Sequence, residues 1–159
     1  MSELETKIAA CEDEERSLHF PAFSNEDALQ LGLALVEAAK SRGVAVTVDI
    51  ERSGQKLFHH AMEGTSPDND EWIRRKNNLV RRTFMSSFHV GRILERDGTS
   101  LQERYYLDPM QYTAHGGSFP LTVEGAGVVG TITVSGLPQE EDHKLVVSTI
   151  RKRLGVQPG

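Results

Sequence analysis

The chain has 159 residues, 38% hydrophobic and 26% charged, which excludes global disorder and leaves room for one domain with a proper core. Its formal net charge of −5 argues against non-specific nucleic-acid binding, and no run approaches the ~18 apolar residues of a membrane span. A single cysteine, Cys11, can form no internal disulfide and favours a reducing, cytoplasmic setting.

Residues 1–16 are acid-rich, with Leu4, Ile8, Ala9 and Ala10 as their apolar content. They have no apolar h-region, so they do not read as a secretory signal. A helix here has too narrow an apolar face to fold alone. Residues 1–20 are therefore expected to be an arm in oligomer contacts, and residues 21–159 a single domain. Ser24 and Asp27 suit a capping box, and Ala28, Leu29, Gly32, Leu35, Val36 and Ala39 recur at helical spacing up to Gly43. This predicts a helix over about 25–42.

The period then changes to two. Val44, Val46, Val48 and Ile50 predict a strand, Ser53-Gly54 a turn, and Lys56–Met62 the returning strand of a hairpin. Gly64 to Asp70 has loop and helix-start composition. One long helix is predicted over about 70–91, with Trp72, Leu79, Val80 and Phe84 in one stripe and Arg74, Asn78, Arg81, Arg82, Met85 and His89 opposite. Phe119–Val123 and Val128–Val134 read as strands. Pro138 suits the first position of a last helix carrying Leu145, Val146, Thr149, Ile150 and Leu154 inward. Helix, hairpin, helix, strands and helix predict an α+β fold with a largely antiparallel sheet.

Several apparent motifs fail on their physics. Gly125-Ala126-Gly127-Val128-Val129-Gly130 matches G-x-G-x-x-G, but it leads into a strand, so no helix N-terminus faces a pyrophosphate. Ser135 lacks a nucleophile-elbow context. The acids around Cys11 raise a thiol's pKa rather than lower it. Six histidines occur without H-E-x-x-H or a Cys pair, and no dedicated metal site is expected. His59 and His60 alternate faces in a strand, so they cannot share an ion.

Three places carry chemical promise. Lys76 falls inside the apolar stripe of the long helix, and an inward ammonium needs a partner, with Asp49 and Asp142 as candidates. It either pairs helix to sheet or receives an anionic group in a cleft. His115-Gly116-Gly117 combines a titratable group with glycines that let backbone approach a ligand closely. Asp142-His143 opens the last helix, where an acid suits the dipole.

Asp49, Ser53-Gly54, Leu57, Gly64, Pro67, Arg75-Lys76, Gly116-Gly117, Pro120, Gly130, Ser135-Gly136-Leu137-Pro138 and Asp142 follow in a characteristic order. Over about residues 25–154 the chain resembles the GlcG/HbpS-like, or haem-degrading domain, family, in an uncharacterised branch. The resemblance implies a profilin-like three-layer α/β/α fold with a five-stranded antiparallel sheet, and homo-oligomers built from dimers. It also implies that some relatives bind haem or related tetrapyrroles. Asp49, Lys76, Gly116, Gly117 and Asp142 fall on the family pattern, and Ser87 stands near a place where relatives often carry threonine. The expected ligand-binding set is Asp49, Lys76, Ser87, His115, Gly116, Gly117, Asp142 and His143. A small anion or a tetrapyrrole such as haem is the expected ligand, with His115 or His143 able to coordinate iron. The alternative is a scaffold that associates through Arg74, Arg81, Arg82 and the acidic arm. No acid–base pair or activated nucleophile is assignable by spacing.

Overall fold

A computed structural model describes residues 1–158. Four strands, β1 (Thr47–Arg52), β2 (Gln55–Ala61), β3 (Ser118–Val123) and β4 (Gly127–Ser135), form one antiparallel sheet in the order β2-β1-β4-β3. These correspond to the four runs read as strands in the chain, of which the first carries the period-two pattern. The fifth strand implied by the resemblance is absent among the described residues. Beyond β3 there is only a parallel bridge, in which Phe20 N–H donates to the Thr122 carbonyl and Phe20's own carbonyl accepts from Glu124. Pro21 follows immediately and has no N–H to continue a ladder.

The described residues also form six helices: α1 (Glu3–Ser17), α2 (Asn25–Ser41), α3 (Pro67–Thr83), α4 (Ser87–Asp97), α5 (Leu101–Tyr105) and α6 (Gln139–Leu154). Ser24 and Asp27 close the expected capping box on α2. Pro138 is the N-cap of α6 rather than its first residue. The single helix expected over about 70–91 is two helices. Phe84 turns left-handed at φ 60°, Thr83 Oγ1 accepts from Met85 N–H, and Ser86 caps the new helix by accepting from His89 N–H. The helical period thus restarts, and this reverses two assignments: Phe84 is 60% exposed, whereas His89 is buried.

The two faces of the sheet differ in chemistry. On one face Val48, Ile50, Phe119, Leu121, Ile132 and Val134 pack with Leu31 and Leu35 of α2 and Leu145 and Ile150 of α6. Each such side chain contributes about 1.5–3 kcal/mol by leaving water. Gly32 lets the Phe58 ring lie against α2, while Leu29 faces solvent. On the other face Asp49, Ser118, Thr131, Thr133 and Ser135 are equally buried but polar. Helix α3 covers this face and hydrogen-bonds Asp49, Ser118, Thr133 and Ser135 through Asn69 and Asn77, while the buried Thr131 hydroxyl has no partner. A smaller core of Leu79, Val90, Leu94 and Leu107 joins α3 to α4 and the α5 region.

Candidate functional site

Helix α3 carries Lys76 over the polar face, where the residue is only 2% exposed. Its Nζ donates to Asp142 Oδ2 at 3.2 Å and to the Val134 carbonyl at 3.2 Å. Asp142, in the first turn of α6, also accepts from Leu137 N–H at 3.0 Å. Burial pulls the Lys76 ammonium below its ordinary pKa and pushes the Asp142 carboxyl above its own, while their mutual attraction opposes both shifts. Gly117 makes this seat possible. Its φ is 136°, and a Cβ there would stand 2.7 Å from Lys76 Nζ.

Above the pair lies a cleft of about 370 Å³. Asp68, Asn69 and Trp72 of α3 form one wall, Ser135 to Gln139 the other, and His115 the lip. The His115 ring stacks on Trp72 at 4.9 Å, and the Arg75 guanidinium covers Trp72 at 4.3 Å. Stacking removes water from one ring face, and Lys76, Arg75 and Arg92 add positive charge, so the His115 pKa is lowered. Gly116 N–H donates to Gln139 Oε1 at 2.9 Å, and a Cβ at Gly116 would meet the Gln139 carbonyl at 2.6 Å. The N-terminal ends of α3 and α6 both border the cleft, and helix N-termini favour negative charge. A hollow of about 410 Å³ between α2 and α6 is slightly larger, but its charged lining residues, Glu37, Lys152 and Arg153, are all exposed, unlike Lys76 and Asp142.

Of the expected ligand residues, Lys76, His115, Gly116, Gly117 and Asp142 come together at or beneath this cleft. Asp49 does not, and Lys76 pairs with Asp142 alone of its two candidates. Asp49 is fully buried and accepts from Lys56, from His59 Nδ1 at 2.8 Å and from Asn77 Nδ2 at 3.2 Å. Asn77 Oδ1 in turn accepts from Ser118 and Thr133 hydroxyls. Ser87 Oγ accepts from Ser118 N–H at 3.1 Å. Both residues thus fasten helices to strands. His143 turns away from the cleft toward Glu14. Sequence reasoning passed over Trp72, Asn69, Ser135 and Gln139 as cleft residues. Trp72, one turn before Lys76 and the chain's one tryptophan, was the available signal.

The arrangement defines a small mixed α/β domain with a polar cleft at the end of its sheet, floored by a buried ion pair. The chain belongs to the family described as haem degrading protein HbpS-like, whose profile matches residues 23–151. A UPF0303 protein of Streptomyces coelicolor is 51% identical over 93% of this chain and 94% of its own length. The crystal structure of Ybr137w protein shares 30% identity and a TM-score of 0.86, covering 93% of this chain and 87% of that one. A structure titled as the PduOC:Heme complex matches with a TM-score of 0.69 at 21% identity, over 86% of this chain and 98% of that one, a likeness of fold. Among the described residues no helix is long and apolar enough to cross a membrane.

Proposed function

We propose that this protein binds a small anionic molecule, such as a carboxylate, in the cleft above Lys76. One observation carries the reading. An ammonium has three N–H donors, and Lys76 spends two of them on Asp142 and Val134. The third remains for a group in the cleft, beside two helix N-termini that add to the attraction. His115 and Trp72 supply a flat lip against which an anion's carbon skeleton can lie.

Haem fits these residues less well. The cleft's apolar surface comes from Trp72, Leu137 and Pro138, far short of what two porphyrin faces require. His143, one of the two candidate iron ligands, is 3% exposed and held by Glu14. His115 keeps an accessible imidazole, so the PduOC:Heme likeness makes haem the comparison ligand rather than the favoured one.

The scaffold alternative has less support. Arg74 is engaged by Glu71, Gln111 and the Met110 carbonyl, and Arg81 by Glu51 and Asn78. Self-association remains part of the proposal, because β2 is an edge strand with a largely exposed face. Light scattering tests it, and a mass equal to one chain rejects it.

Trp72 provides the binding assay. Acetate, succinate and inorganic phosphate, titrated at constant ionic strength against chloride, are expected to change its fluorescence saturably. Lys76→Met is expected to abolish the change. No saturable response to any of the three rejects the small-anion reading. A stoichiometric Soret shift with haemin that His115→Ala removes would favour haem instead.

A further inference from the structure

A second constellation lies apart from the cleft, at the seam where α1 meets α4 and α6. Cys11 and Glu14 stand three residues apart on α1, so their side chains leave the same face, and His143 reaches them from α6. The Cys11 sulfur, a Glu14 oxygen and a His143 ring nitrogen all lie within 4.8 Å of one another. The three residues are 1%, 9% and 3% exposed. Glu14 Oε1 is 2.8 Å from His143 Nε2, while His143 Nδ1 is buried without a hydrogen-bond partner. Phe88 stacks on the imidazole at 4.7 Å and fixes its plane.

We propose that Cys11, Glu14 and His143 form a binding site for a borderline-soft divalent cation, zinc above all. Thiolate, carboxylate and neutral imidazole are a zinc donor set, whereas calcium and magnesium take oxygen ligands. Thiolate and carboxylate together carry two negative charges, so a divalent ion leaves the dry seam neutral, where an unpaired charge is expensive. Zinc–ligand bonds of about 2.0–2.3 Å place ligand atoms about 3.5 Å apart. Side-chain rotation on binding has to bring the group, now within 4.8 Å, to that spacing. His143 Nε2 already lies beside Glu14 Oε1, so it is the nitrogen offered to the ion. The thiol proton leaves to bulk water as the metal–sulfur bond forms. Three protein ligands leave the fourth tetrahedral position to water or another small ligand. Such an ion ties α1 to α6 across 129 residues of sequence.

Untagged full-length protein, stripped with a chelator, is titrated with cobalt(II) alone and then with zinc. The expected result is one cobalt per chain, with a thiolate-to-cobalt charge-transfer band and intense visible bands of a tetrahedral ion, both lost as zinc displaces it. Cys11 is the chain's one thiol, so zinc is also expected to slow its alkylation. Cys11→Ser and His143→Gln are each expected to lower zinc affinity more than about 100-fold, beyond what loss of an outer-shell partner does. Where a variant fails to fold, the wild-type cobalt spectrum decides. Cobalt bound without a thiolate band, or zinc affinity unchanged in folded Cys11→Ser, overturns the proposal and assigns binding to surface histidines.

Discussion

Asp142 and His143 are consecutive residues of α6 that serve different parts of the molecule. Asp142 accepts from Lys76 Nζ at 3.2 Å beneath the cleft, and His143 Nε2 meets Glu14 at 2.8 Å at the α1 seam. Neighbours on a helix diverge by about 100°, so one turn of α6 reaches both α3 and α1. The first turn of α6 is thereby anchored on two sides, to the helix that covers the sheet and to the N-terminal helix.

The Lys76–Asp142 pair is almost wholly out of water, at 3% and 2% side-chain exposure. Removing one partner leaves a buried charge uncompensated. Lys76→Ala and Asp142→Ala are each expected to destabilise the fold by about 3–5 kcal/mol in urea denaturation. A double Lys76→Met, Asp142→Leu variant is expected to recover most of that loss, because no charge is then left behind. Additive losses in the double variant would show that the two groups do not act as a pair.

Gly117 is the backbone condition for the same pair. Gly117→Ala puts a methyl group against Lys76 Nζ at a φ that L-residues rarely adopt. The expected cost is about 1–3 kcal/mol, together with loss of the Trp72 response to anions. Gly98→Ala is the control, since its φ is also positive but nothing crowds the position. Equal losses of stability and binding in the two variants would remove the close-approach argument.

The lowered pKa of His115 sets a direction for pH dependence. As pH falls through the ordinary histidine value of 6.5, the unfolded chain takes up its proton before the folded chain does. Stability from this group is complete above 6.5 and declines below it. In His115→Gln, Tm is expected to fall less between about pH 7 and about pH 5 than in the wild type. Parallel Tm profiles would show that the folded and unfolded values coincide.

Glu15 is a second point of attachment for α1. Its carboxylate accepts from Ser86 N–H at 3.1 Å, at the start of α4, and meets His89 Nδ1 at 2.9 Å. Glu15→Ala strands a backbone donor and a buried imidazole, and is expected to cost about 1–3 kcal/mol. Hydrogen exchange in α1 and in the first turn of α4 is expected to accelerate ahead of the sheet. Uniform acceleration across all elements would instead mean that α1 unfolds only with the whole domain.

Local chemistry made much of the architecture legible. The Ser24–Asp27 box, the alternating valines of β1 and the glycine-rich bend before β4 each impose their form through neighbours a few residues away. The inward direction of Lys76 was legible for the same reason, since helical periodicity places it with Leu79 and Val80. The break after Thr83 was harder to read, because the stripe of apolar residues continues across it and only the Ser86 cap interrupts it. Long-range assembly was not legible. Period-two alternation marks β1 as two-faced, but it cannot show that the polar face is also buried, because α3 supplies that cover from elsewhere in the chain. Nor can it show that Lys76 chooses Asp142 over Asp49, which is taken by Lys56, His59 and Asn77. Backbone preference and side-chain period act over one or two turns and so are written in the order of residues. Partnerships between Lys76 and Asp142, or Glu14 and His143, depend on how whole elements pack, which chain order alone does not encode.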